Sequence, residues 1–162
     1  VDSLEAAAAI GRAAGYEVEA LGDAIEGEAA EVGAAHGRMA VEALATGRRV
    51  LFLSGGELTV TVRGTGRGGR AQEFALAAAM DIAGLPNVWI AGVGTDGTDG
   101  PTDAAGAAVD GGTLARAKAS GFDIARFLRR NDAYAFFKQA GGHIVTGPTG
   151  TNVNDLYVLI VL

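Results

Sequence analysis

An α/β fold, with three α/β/α layers around a mixed, mostly parallel β-sheet, is predicted by three features of this 162-residue sequence. Unbroken apolar runs at 49–53, 88–93 and 156–162 read as strands covered on both faces. Segments with apolar residues at helical spacing, above all 27–46 and 70–83, lie between or beside them. Glycine-rich loops join the two kinds of segment, and strands alternating with helices are the mark of βαβ units.

Taken in order, Asp2 or Ser3 is positioned to cap a first helix over 4–14, which Gly15 ends. A strand is predicted over 16–21. The longest helix covers 27–46, where Ala29, Val32, His36, Met39 and Ala43 recur at helical spacing and Gly47 closes the run. The buried strand 49–53 follows. Residues 58–62 alternate Leu, Val and Val with two threonines, which predicts a strand with one polar face. Only four residues separate the two, so as neighbours they would pair antiparallel. Residues 70–83 are apolar almost all round and predict a buried helix. With strands 58–62 and 88–93 they form an expected parallel βαβ unit, which places the loops after 62 and after 93 at one carboxyl-end edge. A weak strand at 104–109, helices at 113–120 and 132–139 with a short turn at 125–129 between them, a short strand at 143–145 and the final strand 156–162 complete the chain. No repeat or linker divides it, so residues 1–162 read as a single domain.

The formal charge of −6 and the sequence pI of about 4.8 argue against a general nucleic-acid surface. No apolar run is long enough to span a membrane, and no signal peptide is visible, so a cytoplasmic location is the default expectation. The absence of cysteine excludes disulfides and thiolate metal sites. The chain begins at Val1 without methionine, compatible with processing or with a piece of something larger.

Three loops carry residues suited to chemistry. Gly64, Gly66, Gly68 and Gly69 fall within six positions, among Arg63, Arg67 and Arg70. Each glycine costs roughly 0.4–1 kcal/mol through unfolded-chain entropy unless its position needs it. The expected need is backbone N–H groups brought to an anion at a helix N-terminus, with arginines balancing its charge. The plain alternative is a tight turn, and the spacing G-x-G-x-x-G by itself is weak, since Gly92, Gly94 and Gly97 satisfy it too. The second loop, GTDGTDGPTDAAG, holds Asp96, Asp99 and Asp103. These suit Mg²⁺, although Asp and Gly also build plain turns, and that is the expected role of Asp99 and Asp103. Asp96, nearest the strand end, is the functional candidate. The third, TGPTGTNVND, offers hydroxyls and amides that fit either a ligand or a turn. Gly66, Arg67, Gly68, Gly69, Thr95, Thr149 and Asn152 are the expected substrate- or phosphate-binding residues. No metal ligand is assigned. His36 is expected to be a core-edge residue, and His143 carries no assigned role. The patterns G-x-S-x-G and GxxxxGK[ST] are absent, which excludes a nucleophile elbow at Ser54 and a P-loop kinase.

In this order and spacing, SGGELTVTVRGTGRGGRAQEF, GTDGTDGPTDAAGA and TGPTGTNVNDL closely resemble the MOFRL domain, the C-terminal part of class II glycerate kinases, also labelled hydroxypyruvate reductases. The resemblance is strong over 54–162 and looser before. It implies ATP-dependent, Mg²⁺-assisted phosphorylation of D-glycerate at its 2-hydroxyl, in a cleft shared with an N-terminal Rossmann-like domain that supplies a catalytic lysine. By position, Arg70 would stabilise the transferring phosphoryl group and Asp96 would be the acid near substrate or metal. Family members usually carry Asn where this chain has Ala71, so no contact is assigned to that side chain. Two other readings stay open: an NAD(P)-dependent hydroxypyruvate reductase, and a non-catalytic anion- or nucleotide-binding module.

Overall fold

The computed structural model describes residues 2–162. Six helices and six strands follow in the order α1 (Asp2–Ala13), β1 (Glu17–Ile25), α2 (Ala29–Ala45), β2 (Val50–Gly56), α3 (Arg70–Asp81), β3 (Val88–Gly94), β4 (Gly106–Asp110), α4 (Thr113–Ala119), α5 (Ile124–Arg129), α6 (Ala133–Ala140), β5 (His143–Ile144) and β6 (Asp155–Val161). The strands form one sheet in the order β1-β2-β6-β3-β4-β5.

The sheet is mixed, as expected. Strands β1, β2, β3 and β5 run one way and β6 and β4 the other, so most strands share a direction, yet only β1 and β2 pair parallel. The cause is the last strand. β6 returns antiparallel between β2 and β3 and separates what would otherwise be parallel neighbours.

The predicted strand at 58–62 is not part of the sheet, and with it the predicted antiparallel pair with 49–53 disappears. Thr59 makes only an isolated bridge to Glu28, through Ala29 N–H to Thr59 O and Thr59 N–H to Gly27 O, each 2.8 Å. Both edges of β2 are already taken by β1 and β6. The chain leaves the sheet at Gly56, whose φ of 149° and close approach to the Ile25 backbone admit no side chain. The strand that precedes α3 is therefore β2, and α3 connects it to β3 with β6 lying between.

Alternation along the strands feeds two apolar layers. Val50 and Phe52 of β2, Val88 and Ile90 of β3, and Tyr157, Leu159 and Val161 of β6 join the main core, with Phe74, Leu76 and Ile82 of α3 and Phe136 and Phe137 of α6. Leu51 and Leu53 face the other way, against Leu4, Ala7 and Ala8 of α1. The sheet is thus covered on one face by α2, α3 and the shorter helices and on the other by α1, which gives the expected three layers. The Phe74 and Tyr157 rings, 4.5 Å apart, pin α3 to the centre of the sheet, each burial stabilising by roughly 1.5–3 kcal/mol. Gly56 and Gly94 both stand opposite Asp155, so the ends of β2 and β3 and the start of β6 meet at one edge. That edge carries the cleft. Among the described residues, no helix is long and apolar enough to cross a membrane.

Candidate functional site

A cleft of about 610 Å³ opens at this edge, walled by the glycine loop, the start of α3, the loop after β3 and the segment leading into β6. Arg70 and Asp96 both line it, with Gly66, Gly68, Gly69 and Asn152. Leu58, Val60 and Val62 form an apolar wall, which explains their alternation without a strand.

The start of α3 is closed by a carboxylate of the protein itself. Asp99 accepts the N–H of Ala71 at 3.0 Å and of Gln72 at 2.9 Å, so it satisfies two of the free donors at the helix N-terminus. The Gln72 side chain donates from Nε2 to the same carboxylate at 2.9 Å and accepts from His143 Nε2 at 3.0 Å through Oε1. Burial pushes the Asp99 carboxyl upward while these donors pull against it. Asp99 was expected only to build a turn. Its partner lies almost thirty residues away, where a sequence pattern does not reach.

The glycine loop rests on the turn between α5 and α6. Asn131 Oδ1 accepts the N–H groups of Arg63 at 2.7 Å and Gly64 at 3.0 Å. Gly66 N–H donates to Arg130 O at 2.9 Å and Arg67 N–H to Asp132 Oδ1 at 3.0 Å. A Cβ on Gly66 would collide with Asp132, and one on Gly69 with Asp99. Gly66 and Gly69 answer to these internal approaches, which is a different need from the one expected. What remains for a ligand is a group of three N–H donors, those of Gly68, Gly69 and Arg70, with no partner among the described residues.

Arg70 reaches from this corner to β6. Its Nε donates to Asp155 Oδ2 at 2.5 Å, and one Nη contacts Glu57 Oε1 at 3.4 Å. Asp155 is buried, at 7% exposed, and also accepts the Tyr157 hydroxyl at 3.0 Å. Burial opposes the charge on Arg70, but Asp155 outweighs it and the guanidinium pKa is raised. For Tyr157, burial and the same carboxylate push the phenol pKa upward. Asp155 and Glu57 had no expected role. The signal for Asp155 was a charge at the mouth of an otherwise apolar strand, which demands a partner.

The other expected residues divide. Asp96 Oδ1 accepts the N–H and hydroxyl of Thr98 at 2.9 and 3.1 Å, while Oδ2 has no partner among the described residues. The Arg67 guanidinium is not brought to the cleft. It donates to Pro101 O at 2.9 Å and stacks on Tyr134, 5.0 Å from the ring centre. Thr95 and Thr149 tie two loops together: Thr95 Oγ donates to Asn154 O and Thr149 Oγ to Thr95 O, each at 2.6 Å. Asn152, on the loop so held, does face the cleft. His36 is the core residue expected, its Nδ1–H donating to Val32 O at 2.9 Å and its Nε2 accepting from the buried Ser54 hydroxyl at 3.2 Å.

Among the described residues that line it, the cleft holds one cation, Arg70, against Glu73, Asp96, Asp99 and Asp155. Asp155 is paired with Arg70 and Asp99 with the helix N-terminus. Among the described residues no group of three or more His, Asp or Glu side chains is placed to hold a metal ion. Asp96, with one carboxylate oxygen without a partner among the described residues, is compatible with a Mg²⁺ held mainly by phosphates and water, an ion that usually takes only one or two protein carboxylates.

Residues 50–155 match the MOFRL family. Over 111 residues, covering 68% of this chain and 27% of the relative, the sequence is 50% identical to the D-glycerate 2-kinase of Thermotoga maritima. It is 41% identical over 165 residues to a putative hydroxypyruvate reductase of Agrobacterium vitis, covering 98% of this chain and 43% of the relative. In structure it superposes on a crystal structure of glycerate kinase from Thermotoga maritima with a TM-score of 0.96 and 40% identity, over 98% of this chain and 39% of that one. The chain therefore spans less than half the length of the relatives it matches.

Proposed function

The chain belongs to the MOFRL family, and from that premise we propose that residues 1–162 are the C-terminal domain of a two-domain glycerate 2-kinase, a cytoplasmic enzyme. The cleft is one wall of its active site, where ATP phosphorylates the 2-hydroxyl of D-glycerate. A Rossmann-like N-terminal domain forms the facing wall.

One observation carries this reading: Arg70 lines the same corner of the cleft as the N–H groups of Gly68, Gly69 and Arg70, which have no partner among the described residues. Phosphoryl transfer is catalysed mainly by positioning and by neutralising charge on the equatorial oxygens. The three N–H groups hold phosphate oxygens by geometry, and Arg70 supplies the positive charge. Asp155 and Glu57 aim Arg70, since a guanidinium fixed by two carboxylates loses little freedom when a phosphate arrives. Asp96, with one carboxylate oxygen lacking a partner among the described residues, faces the substrate or a Mg²⁺ held by the nucleotide's phosphates, which when bound would add positive charge near the transferring group. The acidic surplus of this wall calls for cationic groups on the other, in keeping with a catalytic lysine from the N-terminal half.

The test uses the full-length protein and the 162-residue chain side by side. The expected result is ADP release dependent on D-glycerate from the full-length protein and none from the chain alone. Oxidation of NAD(P)H with hydroxypyruvate, without ADP release, would support a reductase instead. Turnover by the isolated chain would overturn the shared active site.

A further inference from the structure

We propose that Glu73 is the general base that accepts the proton of the attacking hydroxyl during phosphoryl transfer. The inference rests on the kinase reading above and assigns a residue within the same cleft that neither sequence motif nor resemblance had singled out.

Glu73 lies three positions beyond Arg70 on α3, on the same helix face and about one turn deeper. The residue is 7% exposed and lines the inner wall of the cleft. Behind it is a second cavity of about 470 Å³, so Glu73 and Asn131 stand between the two spaces. Its Oε2 accepts Asn131 Nδ2 at 3.2 Å, which fixes the rotamer. Its Oε1 has no partner among the described residues. Among those residues no fully buried side-chain oxygen lacks one either, so Oε1 keeps some exposed surface. A carboxylate that lines the cleft, with one oxygen tethered and the other without a partner among the described residues, meets the geometric need of a general base.

The surroundings favour proton uptake. Burial pushes the Glu73 carboxyl above its ordinary range, helped by the Glu28 and Asp99 carboxylates and opposed by Asn131 and the Arg63 guanidinium. Glu31 and Arg129 face it across the second cavity, and Arg70, Asp96 and Asp155 across the cleft. A base stronger than an exposed carboxylate is better matched to a hydroxyl at neutral pH. In the step, the substrate O–H bond breaks and an O–P bond forms. The bond between phosphorus and the leaving ADP oxygen breaks with its electron pair on ADP, and the proton passes to Glu73 Oε1.

The experiment measures kcat against pH, by ADP release with D-glycerate, for the full-length enzyme and its Glu73→Gln and Glu73→Asp variants. Glu73→Gln is expected to lower kcat roughly 10²-fold or more with little change in KM, and to lose the acidic limb of the profile. Glu73→Asp, the check should the glutamine variant not fold, keeps a base and is expected to retain an acidic limb displaced from the wild-type position at reduced kcat. Glutamine turnover within three-fold of wild type with the acidic limb intact overturns the assignment. So does an aspartate variant whose limb has not moved. A wild-type enzyme that releases no ADP with D-glycerate overturns the kinase reading and this inference with it.

Discussion

Asp99 and Gln72 are joined twice: the carboxylate on the loop after β3 accepts both the backbone N–H and the side-chain Nε2 of Gln72, each at 2.9 Å. This double contact fastens one wall of the cleft to the other and fixes where α3, and hence Arg70, begins. Asp99→Ala is therefore expected to destabilise the fold by about 2 kcal/mol, the upper range for losing a helix cap. Chemical denaturation of the 162-residue chain measures it, and a change below about 0.5 kcal/mol would count against the capping role.

The glycine loop makes a comparison between neighbours. A Cβ on Gly69 would run into the Asp99 carboxylate, whereas one on Gly68 would sit at an ordinary 3.4 Å from Ala133. Gly69→Ala is expected to cost about 1–3 kcal/mol through overpacking, and Gly68→Ala to leave stability nearly unchanged. Thermal melts of the two variants decide the matter. Equal losses would mean that the loop needs glycine for some reason other than close approach.

Asp155 is expected to act through Arg70. Asp155→Asn keeps an acceptor for Tyr157 but removes the charge that holds the Arg70 Nε, so the guanidinium loses its aim. With Arg70 about a third exposed, solvent screening limits the stability loss to about 1 kcal/mol. Turnover of the full-length enzyme should fall far more, roughly 10²-fold, as misplacement of a catalytic group does. Activity that falls only in step with stability would remove Asp155 from this role.

Burial gives Glu73 a higher pKa in the folded than in the unfolded chain. The folded state then binds more protons between the two values, so stability is fully present below the unfolded value and declines as pH rises through the folded one. Glu73→Gln removes that decline while its amide oxygen still accepts from Asn131. The melting temperature of the variant relative to wild type is expected to rise between pH 4 and pH 8. A difference constant with pH would show that Glu73 does not carry a raised pKa.

The sequence was legible where one physical cause controls a stretch of chain. The runs at 49–53, 88–93 and 156–162 became β2, β3 and β6 because strands covered on both faces must be apolar throughout. The segment 58–62 was not legible. Its alternation suits a strand equally well as an extended passage whose leucine and valines wall a cleft, and only the occupied edges of β2 separate the two. The glycine loop announced itself, but its purpose depends on Asp132 and Asp99, far away in sequence. Arg70 and Asp96 do share the cleft. Arg67, equally well placed in the motif, is taken up by Pro101 and Tyr134. Which arginine faces the cleft is a matter of tertiary contact, and spacing does not encode it.

The central claim is that Arg70 stabilises charge on the phosphoryl group in flight. Its most direct test is the turnover of full-length Arg70→Ala with D-glycerate and ATP, measured beside a melt that confirms folding. The expected result is a loss of about 10³-fold or more in kcat, the scale known for arginines on a transferring phosphoryl group. A folded variant whose kcat stays within a few-fold of wild type would contradict the role given to Arg70 and, with it, this reading of the cleft.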